Sequence, residues 1–474
     1  MDESLTTQWF DPLFRADAMR HVFSDRGRLQ GILDFEAGLA RAQASVGILP
    51  AEAAAAITGQ CRAELFDIAA LAQATALAGN AAIPVVNELT RLVAAVNPTA
   101  ARYVHWGATS QDAMDTGLVL QLRQGLDLIE ADADHLCNAL ARLAAVHKET
   151  PMAGRTWLQH AAPTTFGLKV AGWLCAIARH LDRMRAVRSR ALVLQLGGAV
   201  GTLAALGDHA EKTAALLAEE LHLEPPEIPW HAHRDRLIEV AAMLGLVVGT
   251  FGKMARDIAL MSQSEIAEVA EPSAPGRGSS SSMPQKNNPV GCATVLAAAK
   301  RIPALVSVLF AAMPQEHERG LGGWPAEWES LPEVFLLTSG ALATMRNIIA
   351  GLRVDAGRMR ANLDATRGQI FAETVSTALA PIVGHAAAHK LVERACRQAV
   401  EENRHLQEVV LSDAEIAGHL SATELKSHFD PLPHVQAASR LVDRALEVAQ
   451  GRISPLPKEG SAMPVSEKSG GRIQ

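Results

Sequence analysis

The run Gly276-Arg277-Gly278-Ser279-Ser280-Ser281-Ser282-Met283-Pro284-Gln285-Lys286-Asn287-Asn288-Pro289 puts a row of hydroxyls ahead of one ammonium and three amides. Pro289 suits the first turn of a helix with Asn288 as its cap, so a helix should start there. The serines alone fit a flexible Gly/Ser linker. A linker does not account for the Met-Pro-x-Lys-x-Asn-Pro run behind them. A lid that carries a hydroxyl and an ammonium onto an anionic substrate accounts for the whole segment.

Three further segments have chemical potential. In His105-Trp106-Gly107-Ala108-Thr109-Ser110-Gln111-Asp112, Thr109 and Asp112 stand at capping-box spacing. A long helix should begin just after Thr109. Its free N–H groups and the hydroxyls of Thr109 and Ser110 would make an anion site beside His105. In Gly154-Arg155-Thr156-Trp157-Leu158-Gln159-His160-Ala161-Ala162-Pro163-Thr164-Thr165-Phe166-Gly167, Gln159 and Thr164 can hydrogen-bond a substrate. Trp157, read as a residue on a helix, is expected to be structural. In His317-Glu318-Arg319, the Arg319 guanidinium can clamp a carboxylate through two parallel bonds.

These segments resemble those of the fumarase/aspartase superfamily, over about residues 5 to 450. Its signature loop reads G-S-S-x-M-P-x-K-x-N-P. Counting back from Met283, the resemblance puts the catalytic serine on Ser280 and the motif's second serine on Ser281. It puts the carboxylate-binding pair on Lys286 and Asn288. Ser279 stands where the motif has Gly, so Ser281 above all remains a second claimant. The 105–112 segment is similar to the family's H-x-G-x-T-S-x-D stretch, and 154–167 to its G-R-T-H-x-Q-x-A-x-P-T-T-F-G stretch. His105, Thr109, Ser110, Gln159, Thr164 and Arg319 thereby become expected site residues. So does Asn80, in Gly79-Asn80-Ala81-Ala82-Ile83-Pro84.

Two departures line up. The superfamily's lyases carry a His where this chain has Trp157, and a partner Glu where it has Ala293. That dyad delivers a proton to a poor leaving group, an amine or a hydroxyl. A carboxylate, with a pKa near about 4, departs as a stable anion and needs no acid. Lactone opening is such a case. The resemblance therefore implies the lactone-forming cycloisomerase branch, to which 10–15, 79–84 and 230–236 are also similar. The implied reaction is reversible closure of 3-carboxy-cis,cis-muconate to 4-carboxymuconolactone, in protocatechuate breakdown. In it Ser280 would handle the carbon-bound proton, with Trp157 against the substrate. Rival readings are an adenylosuccinate- or argininosuccinate-type lyase, an isomerase of a sulfonated muconate, and a catalytically dead protein on the same scaffold.

Holding such segments takes long helices. Proline is absent from 99–150, 164–224, 230–271 and 333–380. Those stretches are rich in strong helix formers. Apolar residues in 118–143, 166–192 and 237–261 recur at spacings of three and four. More than one apolar stripe is visible, which favours a bundle shared between subunits over a large monomeric core. The expected fold is all-α: a central bundle of long helices with smaller helical domains at both ends. The expected division is 1–108, 109–350 with the signature loop at 272–289, 351–454, and a disordered tail at 455–474.

Composition limits the rest. The chain has 474 residues and a net charge of −7, which argues against nucleic acid as the main partner. No run of about 18 uninterrupted apolar residues suggests a membrane span, and Asp2 and Glu3 do not fit a signal peptide. Five scattered cysteines fit neither a metal site nor a disulfide framework, and suit a reducing cytoplasm. No nucleotide or metal signature is present, so no cofactor is expected. The superfamily resemblance implies a homotetramer whose active sites draw on three subunits.

Overall fold

A computed structural model describes residues 8–453. The tail expected to be disordered, 455–474, lies outside the described residues. Six long helices carry the architecture: α1 (Asp25–Ser45), α2 (Ser110–Val146), α3 (Phe166–Ala191), α4 (Asp235–Met261), α5 (Val290–Ala312) and α6 (Gly323–Ala350). In α2 the buried residues Val119, Leu122, Leu126, Ile129, Ala133, Leu136 and Leu140 alternate spacings of three and four. That is the seam of a left-handed helical bundle: α1, α3 and α6 pack along it, α4 packs in turn against α3, α5 and α6, and Leu174, Leu181, Leu244, Phe251, Phe335 and Leu342 are fully buried.

The helices run up and down between two ends. At the first end lie the start of α2, the start of α4 and the start of α6, tied together by Arg234, Asp115 and Glu327. At the second end a hairpin follows α2, and β1 (Pro151–Thr156) pairs antiparallel with β2 (Gln159–Thr165). There, too, α4 runs out, β3 (Val269–Ala270) pairs with β4 (Arg353–Val354), and Arg155 of the hairpin grips Glu268. The helix α5 leaves this end and returns to the first, where Arg319 meets Gln111. Fragments of strand thus occur, but they join helices and build no layer.

Prolines mislead as punctuation here. Pro303 lies inside α5 and Pro332 inside α6. An interior proline loses one backbone hydrogen bond and forces a local adjustment, and the surrounding bundle holds both helices continuous. A separate apolar cluster, including Val375, Leu379, Val392, Leu406, Val410 and Leu425, serves the C-terminal helices. Val442 and Ala449, further along, join the bundle core.

Two helices, α4 and α5, are long and apolar enough to cross a membrane by length and composition. Both are built into the bundle. Yet only 28% of the apolar window of α5 is buried. Val308 and Phe310 of α5 stand exposed on a face that nothing among the described residues covers.

Candidate active site

The first end is a buried polar network. Thr109 is the N-cap of α2, and its N–H donates to Asp112 Oδ2 at 3.0 Å. Asp112 does more than cap. Its carboxylate also accepts from the N–H groups of Gly197 and Gly198, both at 2.9 Å, and contacts His231 Nε2 at 2.7 Å. A side chain at Gly197 would collide with His231 and Pro229, so glycine lets that N–H approach. One turn on, Asp115 takes both nitrogens of the Arg234 fork at 2.6 and 3.0 Å, and the Trp324 indole N–H at 3.1 Å. Arg234 in turn reaches Glu327 at 2.6 Å. All three charges are buried; burial works against the Arg234 cation, but the two carboxylates hold its pKa above the ordinary arginine value.

Gln111 connects this network to the expected site. Its amide NH2 donates to Asp115 at 3.1 Å and to the His231 carbonyl at 3.0 Å. Its carbonyl oxygen is thereby left to accept from Arg319 Nε at 3.1 Å. Arg319 also donates to the Ala199 carbonyl. His105 sits beside the same helix start with a left-handed φ of 61°, its Nδ1 2.6 Å from Glu36 of α1. Burial lowers the tendency of the His105 imidazole to charge, but Glu36 and Asp112 outweigh it, and its pKa is raised. The structure thus gathers His105, Thr109, Ser110 and Arg319 in one place.

The second end is exposed and lightly tied. Trp157 and Leu158 form the two-residue turn between β1 and β2, with φ of 52° and 64°. That is the twist a tight hairpin requires, made without the usual Asn or Gly, and it costs roughly 1–2 kcal/mol per residue. Trp157 is not on a helix and is not core: it is 97% exposed at the hairpin tip. Alternating backbone in the 151–165 stretch, not helical periodicity, decides this. Gln159 follows the turn, exposed, and Thr164 lines a groove of about 720 Å³ with Lys169, Trp173 and Lys253.

The signature loop belongs to this end. Glu271, buried at its root, accepts from the N–H groups of Gly291 and Cys292 at the start of α5, at 3.0 and 2.6 Å. Arg277, inside the loop, binds the same carboxylate at 3.1 Å. The carbonyl of Gly278 accepts from the Asn288 backbone N–H at 2.9 Å and from its side-chain amide at 3.1 Å, pinching the loop shut. Asn288 also lines a cavity of about 570 Å³ with Glu271 and Asp355. Beyond the pinch, Ser281, Met283 and Lys286 are exposed. The Ser280 Oγ accepts from the N–H groups of Met283 at 3.2 Å and Ser282 at 3.4 Å. Two N–H dipoles aimed at one hydroxyl oxygen favour its anionic form.

The two ends do not meet in one chain. The 37 residues of α2 separate Thr109 from the hairpin, about 55 Å at 1.5 Å per residue. Ser280, Ser281, Trp157, Gln159, Thr164, Lys286 and Asn288 lie with the second end, and His105, Thr109, Ser110 and Arg319 with the first. Asn80 accepts from the Ile83 N–H just ahead of the helix Ala82–Val96, whose N-cap is Ala81, and among the described residues no hydrogen bond joins it to either group. Sequence reasoning missed Glu36, Gln111, Asp115, Arg234 and Glu327. Acids at 112 and 115, one turn apart at the head of an apolar helix, were the readable sign. Among the described residues no cluster of His, Cys, Asp or Glu is suited to a metal ion, and all five cysteines are free.

Comparison with known proteins covers nearly the whole chain. The lyase family matches residues 14–304, and the adenylosuccinate lyase C-terminus family matches 368–445. The 3-carboxy-cis,cis-muconate cycloisomerase of Pseudomonas aeruginosa is 57% identical over 446 residues, 94% of this chain and 97% of the relative. The crystal structure of the 3-carboxy-cis,cis-muconate lactonizing enzyme from Pseudomonas putida superposes with a TM-score of 0.89 at 54% identity. It covers 94% of this chain and 100% of that one. The structure of the β-carboxy-cis,cis-muconate cycloisomerase from Acinetobacter calcoaceticus gives 0.87 at 42% identity, covering 93% and 100%.

Proposed function

This chain belongs to the lyase family of the fumarase/aspartase superfamily, and from that premise we propose that it catalyses the reversible lactonisation of 3-carboxy-cis,cis-muconate to 4-carboxymuconolactone. The observation that carries the reading is a paired loss: Trp157 and Ala293 replace both members of the superfamily's proton-delivering dyad, while the Ser-Lys-Asn loop is intact. Adenylosuccinate- and argininosuccinate-type chemistry needs that dyad, and lactone chemistry does not.

The steps are those of lactone chemistry. In closure, a substrate carboxylate oxygen adds to one carbon of a double bond and the neighbouring carbon gains a proton. In opening, a base removes that proton and the C–O electron pair leaves with the carboxylate. Ser280 is the group that gives and takes the carbon-bound proton. Its alkoxide is stabilised by the Ser282 and Met283 N–H groups. Lys286 and Asn288 from the loop, Gln159 and Thr164 from the hairpin, and His105, Thr109, Ser110 and Arg319 from the first end hold the carboxylates. No cofactor takes part in this scheme.

The functional unit is a homotetramer in the cytoplasm. Support comes from the length of α2, which keeps the two halves of the site apart in one protomer, and from the uncovered apolar face of α5. Purified protein incubated with 3-carboxymuconate, adenylosuccinate and argininosuccinate, followed by ultraviolet absorbance, tests the reading. Turnover of the first alone is expected. Turnover of either succinate at a comparable rate would overturn it.

A further inference from the structure

We infer that Glu36 is a positioning residue for His105: its buried carboxylate turns the imidazole into the site and holds it as a cation for a substrate carboxylate. This rests on the reading of His105 as a substrate-binding group. Glu36 lies in the middle of α1 among Leu33, Phe35, Leu39 and Ala40, and is 1% exposed. A carboxylate in such surroundings is costly unless paired. Among the described residues Glu36 has one hydrogen-bond partner, His105 Nδ1 at 2.6 Å, and its other oxygen accepts no hydrogen bond. A helix built for packing alone has no use for a half-satisfied acid.

The same face of α1 holds the next residue as well. Two turns on from Glu36, Gln43 donates to the Trp106 carbonyl at 2.7 Å. Together these contacts impose the left-handed backbone at His105, where φ is 61°. A side-chain-bearing residue keeps that conformation only where its surroundings over-determine it. With Nδ1 committed to Glu36, Nε2 is the nitrogen left for a ligand. The His105 side chain is 17% exposed, so its free edge reaches solvent.

Charge agrees with geometry. Facing His105 are Glu36 from α1 and Asp112 from the head of α2; Glu36 acts together with Asp34 and Arg41 on the buried Cys61 thiol. Burial opposes the imidazolium, the two carboxylates outweigh it, and the His105 pKa is raised. A raised histidine pKa means the charge is present at low pH and is lost as pH climbs through the raised value. Binding of a polyanion to His105 should weaken on that alkaline side.

The test is the pH profile of kcat/KM for lactonisation with Glu36→Gln, Glu36→Asp and His105→Gln. Glu36→Gln keeps an acceptor and removes the charge. Its falling limb should move down by about one pH unit or more. At about pH 8 its KM should rise about tenfold with kcat within about twofold, and at about pH 6 most of the loss should return. Glu36→Asp keeps the charge and should leave the limb in place. A Glu36→Gln limb at the wild-type position overturns the proposal. Should His105→Gln leave KM unchanged, the reading of His105 as a substrate group fails instead. Where Glu36→Gln does not fold, ring-carbon NMR of wild type against His105→Gln decides. A His105 ring titrating at or below the ordinary histidine value overturns the proposal.

Discussion

The two ends of the bundle carry opposite kinds of machinery. At the first end, Asp112, Asp115, Arg234 and Glu327 are buried and bonded on nearly every oxygen and nitrogen. At the second, the stretch from Ser281 to Asn287 is exposed and held by a few backbone contacts around Gly278 and Glu271. A group that only binds gains from being fixed before the ligand arrives. A group that must close over the ligand cannot be fixed in advance. On the proposed function, the contrast matches a first end that only orients the substrate and a second end that both grips it and carries the proton.

Three measurements can break or sharpen that contrast. The largest effect is expected from Ser280→Ala. Loss of the proton-transfer group should cut kcat about a thousandfold, about 4 kcal/mol of barrier, with KM little changed. Ser281→Ala and Ser282→Ala should stay within about tenfold of wild type. A dead Ser281→Ala beside an active Ser280→Ala would move the role one residue along the loop, and three active variants would remove it from the loop altogether.

Next comes Arg234→Met, which strands Asp115 and Glu327 in the core. A buried ion network broken from one side costs about 3–5 kcal/mol. Chemical denaturation and gel filtration at matched protein concentration should show a large loss of stability and of assembly. If stability holds and only KM suffers, the network serves the site and not the fold.

The smallest change is expected from Trp157→His at the hairpin tip. A side chain 97% exposed in the protomer contributes nothing to its core, so the stability change should stay within about 0.5 kcal/mol. Joined with Ala293→Glu it should not raise kcat/KM for lactonisation. A tenfold rise, about 1.4 kcal/mol, would mean that proton delivery to the leaving oxygen limits turnover, and the contrast with the lyases would fall.

What could be read from residues alone follows the same divide. The helical bundle was legible because one apolar seam, Val119 to Leu140, repeats at unbroken spacing. The start of α2 was legible because Thr109 and Asp112 obey local capping rules. Signature residues such as Lys286 and Asn288 were legible as a motif. The Trp157 turn was not legible: left-handed tight turns are normally flagged by Asn or Gly, and neither is present. Pro303 and Pro332 sit inside helices because tertiary packing overrides a single missing hydrogen bond. The pairing of Asp115 with Arg234 spans 119 positions and has no local signature at all.

The length of α2 also has a genetic reading. On the shared-site proposal, a chain ruined at Ser280 still presents a sound first end, and a chain ruined at Arg319 still presents a sound loop. Neither allele alone would support growth on the aromatic precursor. Expressed together, the two chains can assemble so that some sites receive the sound half of each. Two null mutations at opposite ends of the helix should therefore complement one another, whereas two at the same end should not.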